Sequence, residues 1–391
     1  MSVNEIFFEL IRVALGTQET LSRSPSKAQW AELYAMAKKQ SLVGICFAGL
    51  QKLYNFDNQE PNTNNPQPDS THNQEPITKN LDEVQYLQWL GMAAMIQQRN
   101  EEVNRQCVEL QAKLADVGFE SCILKGQGAA SLYKNHSQWG YDLSLLRQSG
   151  DIDIWICGGR DAAIACTKAL GMDDKPDDHH IHLDVFDDTS VELHFGASPL
   201  INRMKNSGYQ GWISTNVLSD CRTVTIADEG SFVCPSNYFN LVYMLSHMHK
   251  HLFQGGLGLR QMMDYYMVLK DVALSSEKKE EIKTAVERFG LYKFACAVMW
   301  IMNKVFGFDK DLMPWPMDEK RGRYILHEMM RGGNFGHFDD EFRPEYGASH
   351  LKRYCQAVFY GLRHLRLFPM ESLWIPIDYF KMFLAIRSSH K

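Results

Sequence analysis

The sequence predicts an α+β fold, a small mixed β-sheet core flanked by N-terminal and C-terminal helical regions. Three observations predict it. Period-two alternation of apolar and polar residues is concentrated between residues 118 and 234, helical periodicity dominates on either side, and a glycine turn precedes the most regular of the alternating runs. On this pattern the 391 residues divide into an N-terminal helical region (1–117), a β-containing core (118–234) and a C-terminal helical domain (235–391).

Residues 3–15 form an amphipathic helix. Ser26-x-x-Gln29 is a capping box opening a second helix, on which Trp30, Leu33, Tyr34 and Ala37 recur at helical spacing as packing residues. From Asp57 to Asn80 the composition turns to Asn, Gln, Pro, Asp and Thr. Such a stretch buries too little surface to offset ordering entropy, so a disordered surface loop is expected near 57–80. Leu81 to Val117 resumes helical periodicity and leads into the core.

Val117 to Gly126 ends a strand in a glycine turn, and Gln127 to Tyr133 reads as the start of a helix. Glycine lets backbone N–H groups approach a phosphate, and a helix N-terminus adds positive potential. In Asp151-Ile-Asp153-Ile-Trp-Ile156 the isoleucines alternate with Asp151, Asp153 and Trp155, so both carboxylates point to one side of a strand. Two acids that close repel each other, and a hard divalent cation with oxygen ligands, Mg²⁺ above all, is the natural compensator. Val191, Leu193 and Phe195 alternate with Glu192 and His194, and a neighbouring sheet position would make Glu192 a third oxygen ligand. Between these strands, 161–170 reads as a helix ended by Gly171, and His180 to Phe186 pairs with the Glu192 strand as a hairpin. His179, His180, His182 and His194 open a second hypothesis, a histidine-containing metal site in which His182 and Asp184 share one strand face.

Leu124-Lys125-Gly126, Tyr133, Arg147-x-x-Gly150-Asp151-Ile152-Asp153 and Glu192-x-His194 occur here in the order that marks the uncharacterised nucleotidyltransferase family. That family belongs to the superfamily with the DNA polymerase β-like fold, and the chain resembles it most closely in its central third. The resemblance implies that Asp151, Asp153 and Glu192 are the catalytic, metal-binding acids, and that Gly126 and Gln127 lie in the phosphate-holding turn. Lys125 or Arg147 would add positive charge. Many superfamily members carry Gly-Ser or Gly-Gly at this turn and a shorter gap to the acids. Here Gln127 follows the glycine and Lys134 to Gly150 intervenes.

Residues 197–235 look irregular apart from a strand pair around Cys221 to Ile226. Asn237 to His251 is a helix, Gly255 to Gly258 breaks it, and Leu259 starts the next, with Arg260 and Asp264 one turn apart. An intrahelical ion pair and a wet histidine face account for these residues. The resemblance implies instead that His249, Arg260 and Asp264 close the nucleotide cleft. Arg331 to Gly336 is a glycine-rich loop, and 280–307 and 351–386 are amphipathic helices.

A net charge of −6 without a basic run argues against a dedicated nucleic-acid binder. Nine cysteines without a C-x-x-C pair point to reduced thiols in a cytoplasmic protein, and Glu5, Glu9 and Arg12 interrupt any secretory signal. No stretch reaches the length of a bilayer span, so no membrane partner is expected. The expected function is Mg²⁺-dependent nucleotidyl transfer from a nucleoside triphosphate, ATP foremost, with a two-metal site within reach of the three acids. The acceptor is a small molecule, a protein or, less in keeping with the charge, RNA. Two alternatives stand beside it: a non-catalytic nucleotide-binding or interaction protein with the same fold, and a histidine-metal hydrolase.

Overall fold

The computed structural model describes residues 2–58, 75–133, 142–339 and 349–389. In chain order its elements are α1 (Val3–Leu15), α2 (Lys27–Gln40), α3 (Val43–Asp57), α4 (Glu83–Asp116), β1 (Ser121–Ile123), α5 (Lys125–Ala130), α6 (Leu143–Leu146), β2 (Ile152–Ile156), α7 (Gly159–Ala169), β3 (His180–Leu183) and β4 (Val191–His194). There follow α8 (Asn206–Asn216), β5 (Arg222–Ile226), β6 (Gly230–Cys234), α9 (Asn237–Gln254), α10 (Leu259–Asp271), α11 (Ser276–Arg288), α12 (Tyr292–Phe306), α13 (Glu319–Gly332), α14 (His350–Leu362) and α15 (Pro369–Ser389). The fold is α+β, as expected, with a mixed four-stranded sheet and a separate two-stranded one.

Packing divides the chain into two compact units. The first comprises Met1–Glu102, Tyr133–Ser149 and Met302–Lys310. Its helices follow the apolar pattern: α1 buries Ile6, Phe7, Leu10 and Ile11, and α2 buries Trp30, Leu33 and Ala37. Ser26 accepts from the Gln29 N–H and Gln29 Oε1 accepts from the Ser26 N–H, which completes the capping box. The ends of the stretch expected as a loop, 57–80, make defined contacts. Asp57 belongs to α3 and accepts from the N–H and hydroxyl of Thr78 at 2.7 and 2.6 Å, while the Ile77 carbonyl accepts from Ser24. Residues 59–74 of that loop, and 134–141 of the segment before Asp151, lie outside the described residues.

The second unit comprises Val103–Leu132, Gly150–Ile301 and Asp311–Lys391. Its sheet runs β1-β2-β4-β3, with β2 and β4 parallel and the outer pairings antiparallel. One face carries Ile152, Ile154, Ile156, Ile181, Leu183, Val191 and Leu193, which pack with Cys107, Leu110 and Leu114 of α4 and with Ala163 and Cys166 of α7. Full burial of one such side chain contributes about 1.5–3 kcal/mol, so this face sets the register. Gln111 of α4 donates to the Ser121 carbonyl and accepts from the Val233 N–H, tying β1 and β6 to one helix.

Two features departed from the sequence reading. Within the stretch expected to be irregular, α8 forms and buries Tyr209 and Ile213. Its Gly208 and Gly211 lower helix propensity, and only packing against Phe289 and Phe239 makes it worthwhile. The glycine-rich loop after α13 docks on the break between α9 and α10. A Cβ on Gly256 would lie 2.5 Å from the Gly336 Cα, and one on Gly336 would collide with the Gly255 carbonyl oxygen. Both glycines have positive φ, 93° and 65°.

Candidate metal and nucleotide site

The polar face of the four-stranded sheet carries the chemistry. Parallel pairing sets Asp153 opposite Glu192, and the hairpin sets His182 opposite Glu192, so one row across three strands reads Asp153, Glu192, His182. The next row reads Trp155, His194, His180. Asp151 is exposed immediately before β2, and Asp153 is buried within it.

His194 joins the acids. Its Nε2 lies 2.8 Å from Asp153 Oδ1 and 3.2 Å from Glu192 Oε2, and Lys125 Nζ lies 2.8 Å from the same Asp153 oxygen. The pair Lys125–Asp153 is almost dry, with side-chain exposures of 17% and 4%. Burial works to raise the Asp153 carboxyl pKa, yet Lys125 and His194 together hold it well below the usual range. Glu192 is held low against burial mainly by its His194 hydrogen bond. For His194 and Lys125 burial works downward, and the facing carboxylates raise both. Asp151 goes the other way: the charge of Asp153 raises it above the usual range.

Lys125 begins α5, and Gly126 behind it adopts φ 43° and ψ −115°, a conformation open to glycine alone at little cost. A Cβ at Gly126 would lie 3.6 Å from the Asp151 carbonyl oxygen, so this turn adjoins the head of β2. The Gln127 side chain turns inward and donates to Asn104 Oδ1 at 2.6 Å. Arg222 fastens the turn by donating to Ser131 Oγ at 2.7 Å and to the Gly128 carbonyl.

The helical residues divide. A Cβ on Gly150, the residue before Asp151, would lie 3.6 Å from Arg260 Nη1, which places that guanidinium at the strand head. Arg260 is buried and stacks on Phe335 at 5.5 Å, and Phe335 itself holds a strained φ of 53°. Asp264 is buried one turn further along α10. His249 is elsewhere, 3.5 Å from Glu371 and edge-on to Phe253 and Phe294. Arg147 belongs to the first unit, where its carbonyl accepts from Asn100 at 2.7 Å.

On α9 the histidines beside the cluster are His247 and His251, about 200° round the helix from His249. Their Nε2 atoms are 3.0 Å apart. Burial and then Lys125 push His247 well down and His251 to about 3, while Lys250 is lowered to about 8 by the same two causes. Burial, followed by the charges of Asp153 and Glu192, raises the Tyr243 hydroxyl well above its usual value. Their signal in the sequence was the i, i+4 spacing of His247 and His251.

The donor set fits a divalent cation. Asp153, Glu192 and His194 bring ligand atoms within 4.8 Å of one another, with Asp151 two residues from Asp153 at the head of the strand. No helix among the described residues is long and apolar enough to cross a membrane. A family model described as uncharacterised nucleotidyltransferase matches residues 26–307. No curated protein matches the chain.

Proposed function

The chain belongs to the uncharacterised nucleotidyltransferase family, and from that premise we propose that it is a Mg²⁺-dependent enzyme moving a nucleoside monophosphate from a nucleoside triphosphate, ATP foremost, to an acceptor. The observation that carries this reading is the parallel register that sets Asp153 against Glu192, with Asp151 at the strand head and its carboxyl raised by Asp153. These three acids would hold the metal. Bound there, Mg²⁺ supplies charge neutralisation on the triphosphate.

The chain's own groups take the remaining roles. The turn at Gly126 and Gln127 offers backbone N–H groups to phosphate, Lys125 adds fixed positive charge, and Arg260 reaches the same strand head with a guanidinium. Roles for Arg147, His249 and Asp264 rest on the sequence resemblance alone. The acceptor oxygen bonds to the α-phosphorus, the bond from that phosphorus to the bridging oxygen breaks, and pyrophosphate leaves with its electron pair. A carboxylate held low is a weak base, so Glu192 serves better as a ligand than as the acceptor of the hydroxyl proton, which passes to solvent. His194 positions Asp153 and Glu192.

Calorimetric titration of ATP and then GTP, with and without Mg²⁺, into the native protein and Asp151→Asn/Asp153→Asn tests the reading. Mg²⁺-dependent binding in the native protein alone supports it, and pyrophosphate release with trial acceptors then separates transfer from nucleotide binding without turnover. Binding that survives loss of both acids overturns it. The mixed set Asp153, Glu192 and His194 favours a histidine-metal hydrolase as the second reading. It would be supported by transition-metal-dependent hydrolysis without pyrophosphate.

A further inference from the structure

On β3, His180 and His182 alternate with buried Ile181 and Leu183, so both imidazoles stand on the polar face. Their Nε2 atoms are 3.1 Å apart, with the rings nearly perpendicular at 89°. Ahead of the strand, the Asp177 N–H donates to the His180 carbonyl at 2.9 Å and turns the carboxylate back over the histidines. Asp177 Oδ2 lies 3.7 Å from His180 Nε2 and 3.9 Å from His182 Nε2.

These three separations form a triangle whose circumradius is about 2.1 Å, so one point lies that far from all three atoms. That radius is the length of Zn–N and Zn–O bonds. A single imidazole–imidazole hydrogen bond accounts for the 3.1 Å alone. A shared cation accounts for the approach of the carboxylate to both nitrogens as well.

The geometry points to a second metal site, made by Asp177, His180 and His182, that takes a transition metal of the zinc class. Two imidazole nitrogens select such a metal over Mg²⁺, and three protein ligands leave a position for water or an anionic oxygen. Glu192 lies beside it, opposite His182 in register and with Oε1 4.0 Å from His180 Nε2. The open position therefore borders the carboxylate cluster.

The test is calorimetric titration of Zn²⁺ alone into the chelator-stripped full chain, native and as His182→Gln, Asp177→Asn and His194→Gln. Visible absorption of the Co²⁺-loaded forms reports the coordination. A Zn²⁺ site is expected that either of the first two substitutions weakens at least tenfold, that His194→Gln leaves unaltered and that excess Mg²⁺ does not displace. His182 and Asp177 side chains are 58% and 67% exposed, so melting curves in chelator should match the native protein. Absence of Zn²⁺ binding overturns the proposal, as does binding unchanged in both of those variants. Loss in His194→Gln instead would move the metal to the buried cluster and equally overturn it. Failure leaves the nucleotide reading untouched, because the two sites share no residue.

Discussion

Asp153 is a buried carboxylate whose character is set by two partners on different elements. Lys125 is the first residue of α5 and His194 comes from β4, and both lie 2.8 Å from one oxygen. The alternation around Asp153 and Glu192 was legible in the sequence because side chains in a strand repeat every two residues. That Lys125 faces an acid was not legible, because the pairing joins residues brought together only by sheet formation. His194 touches both acids, so His194→Gln should weaken Mg²⁺-dependent ATP binding by about ten- to hundredfold, as loss of a group that orients ligands does. Calorimetry at fixed pH checks this, and unchanged affinity would remove His194 from the site.

At the scale of elements, local signals were read well where the chain satisfies itself locally. The capping box of α2 is such a case, and Ser26→Ala should cost about 1 kcal/mol, seen as a lower urea midpoint. Signals failed where packing decides. Helix α8 forms despite two glycines. The loop docked on the α9–α10 break gives a paired expectation. Gly336→Ala should cost at least about 2 kcal/mol, since its φ is 65° and its Cβ would meet the Gly255 carbonyl. Gly255→Ala should be tolerated within about 1 kcal/mol, because nothing lies within 4 Å of its Cβ. Equal midpoints for the two variants would contradict the docking.

Across the whole molecule, several buried or half-buried histidines are held neutral, and acid stability follows from them. Burial, with neighbouring positive charge, lowers His179 to about 2, His251 to about 3 and His364 to about 3, against an ordinary 6.5. Between those values and 6.5 the unfolded chain binds more protons. The stability they contribute is therefore complete above about pH 6.5 and is lost as pH falls toward 3, each group steepening the fall by up to about 1.4 kcal/mol per pH unit. His364 lies apart from the proposed sites, and its Nδ1 is 2.8 Å from the Tyr324 hydroxyl oxygen. His364→Gln should flatten the dependence of the urea midpoint between pH 6.5 and 4, and an equally steep fall would count against this assignment. The sequence by itself determined the α+β class, the alternating strands, the acidic pair and the family resemblance, because these rest on periodicity and on residues adjacent in the chain. Only the tertiary structure decided which cations meet the acids, which face of α9 is turned to them, and that Asp177 joins His180 and His182. Those contacts are set by sheet register and helix packing, which depend on apolar surfaces far apart in the sequence.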